Sequence, residues 1–415
     1  MNATPQMPQA GQAAGQADST PSTYASAGVD EEREQAAFGR VMRRWLARTK
    51  VRSPLVTSIT GLASGYFATL MHLPPGPPLA LTTDGVGTKI LLAREANRWE
   101  PIGIDCVANN VNDLICVGAV PLALLDYMAI DRIDEGVLDE VARGLFLGAE
   151  LAGIAIPGGE IAQIGDMLAD SAGGGPMLDL VGTAIGALPP LSPLPLSAPT
   201  QAPQQPQLSA ASGQVLGSHP AWRQAVDGSA VRPGDVVIGL LSSGLHSNGY
   251  SLARHALFRK GGMALSDQVP GTGRRLADAL LQPTRVYVKA AEALWAAGIT
   301  PHGMAHISGG GLLNLARLAA DVCYELDAMV PAPEIFTLIA ERGEIPPATM
   351  YATFNMGLGF CVVVSKSDQQ AALAALKEVG EDAMRVGWVT ARAGKTVSIP
   401  SAGLVGKGDA FEPVR

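Results

Sequence analysis

Residues 79–89 read LALTTDGVGTK. Leu79 and Leu81 alternate with smaller residues, the period of a half-buried strand, and Asp84-Gly85 then turns the chain through a tight, side-chain-poor loop. Such a turn suits phosphate. Gly85 and Gly87 let backbone N–H groups approach an anion, Lys89 supplies a compact positive charge, and Asp84 offers an oxygen to magnesium. The spacing is not that of a Walker loop, and an ordinary Asp-Gly turn is spelled the same way.

Outward from this segment, strand and helix patterns alternate. Strands are expected at 79–83, 122–130, 154–157, 178–187, 236–241 and 358–364, and helices at 106–117, 134–152, 248–258, 284–297 and onward from Leu312. Residues 1–23 are polar and low in apolar content, a tail expected to be disordered. A helix from Glu31 carries Phe38, Val41, Met42 and Trp45 on one stripe. The Pro- and Gln-rich stretch at 189–220 reads as a linker or insertion. With 415 residues, 47% hydrophobic and only 5% aromatic, the chain suits two α/β domains, expected at 24–188 and 231–400 around a 189–230 linker, with a C-terminal tail at 401–415.

A net charge of -8 and the lack of a dense basic cluster argue against a nucleic-acid partner. No apolar run reaches the length of a membrane span, and no secretory leader is expected. Cys106, Cys116, Cys323 and Cys361 lie far apart in apolar surroundings, as buried thiols of a cytoplasmic protein would.

Several further segments carry chemistry. On the helix from Asp105, Val107, Val111, Leu114 and Ile115 share one face, leaving Asp105, Asn109, Asn112 and Asp113 on the other, as hard oxygen ligands or as a solvated face. Gly158-Gly159-Glu160 follows a short apolar strand, where open sheets place ligand loops. LSSGLHSNGY, 241–250, joins a strand to a helix and presents Ser243, Gly244, His246, Ser247 and Asn248, as a phosphate site or a simple helix cap. His306 precedes the glycines Gly309 and Gly310. There is no G-x-S-x-G elbow, no H-x-x-x-H and no C-x-x-C, so covalent catalysis and zinc are disfavoured.

Taken in order, the motifs AGVD (27–30), TDGVGTK (83–89), GIDCVANNVNDL (103–114), LLDYMA (124–129), GGEIA (158–162), SSGLHSNGYSL (242–252), PTRVYVK (283–289), AHISGGG (305–311) and MYATFNMGLGF (350–360) strongly resemble the phosphoribosylformylglycinamidine cyclo-ligase family. The resemblance implies an aminoimidazole-ribonucleotide-synthetase-like α/β fold with mixed sheets and a dimerising N-terminal domain. It implies ATP-dependent closure of the imidazole ring of formylglycinamidine ribonucleotide, in purine biosynthesis, with Mg2+, by a cytoplasmic homodimer. Asp84, His246 and Glu160 would be catalytic, with Asp84, Asp113 and Glu160 around magnesium. Gly85, Gly87, Thr88, Lys89, Asn112 and Asp113 would hold nucleotide, and Gly158, Gly159, Ser243, Gly244, Ser247, Asn248, His306, Gly309 and Gly310 substrate. Departures fall at Met42 with Arg43, at ITGLASGYF (59–67) and at IAQIGD (161–166), where Asp166 adds an acid. The same superfold serves thiamine-monophosphate kinases and selenophosphate synthetases, and a non-catalytic nucleotide-binding paralogue would share these motifs.

Overall fold

The computed structural model describes residues 57–58, 66–72, 76–168, 175–189 and 223–414. The expected tail, the helix from Glu31, the departures at Met42 and most of 59–67, and nearly all of the Pro/Gln-rich stretch lie outside them.

The first sheet has six strands: β1 (Thr57–Ser58), β2 (Thr69–His72), β3 (Pro78–Gly85), β4 (Val120–Ile130), β5 (Ala155–Gln163) and β6 (Leu178–Ala187), in the order β1-β2-β3-β6-β4-β5. Its pairs are antiparallel except β4 with β5, which are joined by the crossover helix α3 (Glu135–Ala152). That helix starts where Asp134 Oδ1 accepts the Val137 N–H and stops at left-handed Gly153, the signals of a capped helix. Before it come α1 (Lys89–Ala96) and α2 (Glu100–Cys116).

Helices α2 and α3 cover one face of the sheet. Gly103 and Gly144 let their backbones meet, since a Cβ on Gly103 would strike the Val141 carbonyl. On the other face, Leu81, Val181, Ile185, Leu125 and Tyr127 share one side by register, and Leu125 and Tyr127 are 51% and 44% exposed.

The second sheet has eight strands: β7 (Val236–Leu241), β8 (Gly303–His306), β9 (Cys323–Glu325), β10 (Leu358–Val364), β11 (Ala383–Thr390), β12 (Thr396–Ile399), β13 (Leu404–Lys407) and β14 (Ala410–Pro413). The order is β14-β13-β12-β9-β11-β7-β10-β8. The segment from 401, expected as a tail, thus supplies the last two strands at one edge of the sheet, β13 and β14, and buried Leu404 and Phe411 tie them to the core. β7 and β10 are apolar runs enclosed on both sides.

The expected strand at 79–83 continues through Asp84 and Gly85, held by Gly182 and Val181, so the turn comes at Gly87. The strand expected at 154–157 likewise runs through both glycines and Glu160, because β4 pairs with it as far as Gln163. The helix expected at 248–258 is a short α4 (Tyr250–Arg254) that widens into a π-helical turn, His255–Lys260. All four cysteines are buried and free.

Candidate active site at the junction of the two sheets

Helix α2 joins the halves. Every residue of it except Glu100 and Asp113 is buried, including Asp105, Asn109, Asn110 and Asn112. Asp113 apart, the polar face is therefore neither solvated nor a ligand row; each of its buried polar groups holds a neighbouring segment in register. Asp105 Oδ1 accepts from the N–H and hydroxyl of Thr284, both at 2.7 Å. Asn112 donates to the Arg285 carbonyl and accepts the Tyr287 N–H. Asn109 and Asn110 donate to the carbonyls of Gly85 and Asp84, at 3.3 and 3.2 Å. Both ends of the Asn112 carboxamide being engaged, its expected place on nucleotide is corrected to a clamp between the halves.

Lys89 is corrected in the same way. Its ammonium is 0% exposed, forms an ion pair of 2.7 Å with Asp105 and donates to the carbonyls of His246 and Gln282. Three acceptors match its three donors, leaving none for phosphate. Burial pulls its pKa down, opposed by Asp105.

What the fold does bring together is an acidic recess. Asp84 at the end of β3 opens to solvent, and its carboxyl is raised to about 6 by burial of its surroundings and by Asp113, opposed by the Gly85 N–H and His306. Asp113, the one open residue in the body of α2, lies 3.0 Å from His306 Nδ1 of the other half. Gly87, in the left-handed region with open space around it, and exposed Thr88 form the rim. The Thr88 hydroxyl meets that of Ser251 at 3.2 Å across the junction. Asn248 Oδ1 faces Gly309, where a Cβ would come within 3.3 Å of it, and Gly310 follows in a left-handed turn. Asp84, Gly85, Gly87, Thr88, Asp113, Asn248, His306, Gly309 and Gly310 thus gather at the junction.

The Gly158-Gly159-Glu160 segment does not join them. In the row Asp84–Gly182–Asp126–Gly159, Asp84 and Gly159 are three strands apart, roughly 14 Å at the usual strand spacing. Glu160 pairs with Tyr127, so it projects from the opposite face of the sheet. It cannot share an ion with Asp84 and Asp113 within one chain. Gly159 is needed because a Cβ there would strike the Asp126 carboxylate. Asp126, in the same row and on the same face as Asp84, is raised by burial. Within LLDYMA nothing but its period-two placement opposite Leu125 and Tyr127 distinguishes it in the sequence.

The LSSGLHSNGY loop is also turned inward. The Ser243 hydroxyl donates to Pro283 O, Ser247 meets Thr284 at 2.9 Å, and Asn355 binds both Ser242 and the Gly244 carbonyl. His246 is fully buried in the left-handed region, its Nε2 accepting the Ser243 N–H. Burial, with His306 and Lys89 nearby, pushes it well below its usual value and keeps it neutral. His246, Ser243, Gly244 and Ser247 are therefore corrected from groups that touch substrate to groups that brace the junction. Asn355 was missed because a buried asparagine in a loop has no periodic signature.

Asp84 and Asp113 fit magnesium by donor chemistry: two hard carboxylates in a recess open to a phosphate. Among the described residues no three His, Cys, Asp or Glu side chains form a ready-made metal cage.

The two halves match the models of the AIR synthase related proteins. The model of that family's N-terminal domain matches residues 66–188, and that of its C-terminal domain matches residues 232–400. Similar chains include the phosphoribosylformylglycinamidine cyclo-ligases of Methanothermobacter thermautotrophicus, 38% identical over 89% of this chain and 95% of that protein, and of Pyrococcus furiosus, 40% identical over 90% and 96%. The chain belongs to the phosphoribosylformylglycinamidine cyclo-ligase family. Among solved structures, thiamine monophosphate kinase from Aquifex aeolicus shares the fold at TM-score 0.53 and 16% identity, covering 88% of this chain and 97% of that one. Hydrogenase maturation protein HypE in complex with ATP does so at 0.51 and 19%, covering 88% and 93%.

Proposed function

We propose that this protein closes the imidazole ring of formylglycinamidine ribonucleotide, using ATP and releasing ADP and phosphate, in de novo purine synthesis. The observation that carries the reading is the pairing of Asp84 and Asp113 beside His306 at the junction of the two sheets. The formyl amide oxygen attacks the γ-phosphorus of ATP and ADP departs. An amidine nitrogen of the same substrate then attacks the activated carbon, the C–O bond breaks, and phosphate leaves.

Both steps depend on holding one folded conformer and spreading phosphate charge. Asp84 and Asp113 hold the magnesium that accompanies ATP, whose chemistry is to neutralise that charge. Gly85, Gly87 and Thr88 present the turn to phosphate, and Asn248 with Gly309 and Gly310 faces it from the other half. The unit 24–188 is the nucleotide-binding and dimerising half, and the unit from 231 is its partner.

Homodimerisation is supported by the apolar side of the first sheet, where Leu125 and Tyr127 are exposed on the same face as Ile185 and Val181. Pairing of two such faces would also enclose Glu160. Cytoplasmic location agrees with the free buried thiols; among the described residues no helix is long and apolar enough to cross a membrane.

The test is turnover by purified protein. Stoichiometric ADP and aminoimidazole ribonucleotide should appear only when formylglycinamidine ribonucleotide, ATP and magnesium are all present. Phosphorylation of thiamine monophosphate instead, or nucleotide binding without product, would overturn the assignment.

A further inference from the structure

Two buried histidines in the wall behind the recess each keep one ring nitrogen without a partner: Nδ1 of His246 and Nε2 of His306. Their other nitrogens define what these orphans are. His246 Nε2 accepts the Ser243 N–H at 3.3 Å, so the proton of the neutral ring resides on Nδ1. His306 Nδ1 lies 3.0 Å from Asp113 Oδ1, an atom that only accepts, so Nε2 of the neutral ring is an acceptor. One orphan is a donor and the other an acceptor.

The two ring centroids are 6.5 Å apart with an interplanar angle of 37°. With about 1 Å of ring radius at each end, these nitrogens would lie about 4–5 Å apart if turned toward one another, beyond a direct hydrogen bond of about 3 Å but within the span of two bonds through one water. The Tyr287 ring neighbours that of His246 and the Phe360 ring that of His306, and a side chain on Gly359 would collide with the Tyr287 hydroxyl and the His246 ring. The rings are also fixed from behind. The His306 N–H reaches Cys116 Sγ and its carbonyl accepts from Asn314, while the His246 carbonyl holds Lys89.

We propose that one buried water bridges His246 Nδ1–H to His306 Nε2, completing a hydrogen-bonded relay from the Ser243 turn through both rings to Asp113. His246 and His306 are then positioning residues: they fix the rotation of the Asp113 carboxylate so that its second oxygen faces the recess. Because Asp113 belongs to one half and both histidines to the other, its orientation depends on the halves being together. The magnesium consequence rests on the function proposed above; the relay itself does not.

The experiment has two arms on the full chain. In the first, nitrogen-15 NMR of histidine-labelled protein reads the tautomers, and a high-resolution crystal structure reads the solvent. Both rings should carry the proton on Nδ1, with one ordered water between them. An Nε2–H tautomer at either ring, or no solvent between the nitrogens, overturns the relay.

The second arm titrates magnesium–ATP. His306→Leu, which removes the donor to Asp113, should weaken binding about tenfold or more, and His306→Asn, whose amide can still donate, should recover most of it. Equal affinity in wild type and both variants overturns the positioning role. If wild-type protein binds no magnesium–ATP, the functional reading and the positioning role fall together, while tautomers and solvent density still decide the relay.

Discussion

Replacing Lys89 separates two readings of TDGVGTK that the sequence cannot. The side chain sits at 0% exposure against Asp105, itself at 0%, with both remaining donors on carbonyls of the other half. Lys89→Met removes the cation and leaves the Asp105 carboxylate buried with only Thr284 as donor. Removing one member of a buried pair typically costs about 3–5 kcal/mol.

The mirror variant, Asp105→Leu, strands the ammonium. Lysine can escape by deprotonating, which from an ordinary pKa of about 10.4 costs roughly 4.6 kcal/mol at pH 7, so the penalty for the stranded charge is capped near 5 kcal/mol. The double variant should cost less than the sum of the singles, because neither charge is left alone. Urea unfolding followed by circular dichroism reads this: with m of about 3 kcal/mol/M, each single variant should lower the midpoint by about 1 M or more. An unchanged midpoint for Lys89→Met, combined with a raised KM for ATP, would refute the structural assignment and restore the lysine to the phosphate.

Four further outcomes follow from the geometry. Asp84, raised to about 6, must lose its proton to bind magnesium, so magnesium–ATP affinity should climb as pH rises through about 6, and Asp84→Asn should abolish both the step and most of the affinity. In metal-free protein the same raised value means that the folded state holds the proton more tightly than the unfolded chain; stability should fall between about pH 4 and 6, and Asp84→Asn should remove that fall on a pH series of melting curves. Tyr127→Lys on the apolar sheet face should shift the molecular mass seen by light scattering from dimer to monomer, and an unaltered dimer would move the interface elsewhere. Gly182→Ala places a methyl 2.6 Å from Asn110 Nδ2, which holds the Asp84 carbonyl; a loss of about 1–3 kcal/mol is expected, with a weaker grip on magnesium–ATP, and wild-type stability would show that the site has slack.

Sequence alone determined a good deal. Period-two and period-3.6 patterns located β4, β6, β7, β10 and α3 because those elements bury one face or a whole run, and burial is written in residue type. It also singled out Asp84, Asp113, His306 and the glycines at Gly87 and Gly309, because the chemistry of phosphate and magnesium narrows the choice of side chains.

Tertiary structure alone decided which polar residues are free to act. Lys89, Asn112, Ser243 and Ser247 look like ligand groups in the chain, yet each is engaged by a partner between 37 and 193 residues away. Glu160 looks equivalent to Asp84 until the pairing register puts the two on opposite faces of one sheet. Whether a buried polar group is a tool or a fastener depends on its hydrogen-bond partners, and partners that distant leave no local period in the sequence.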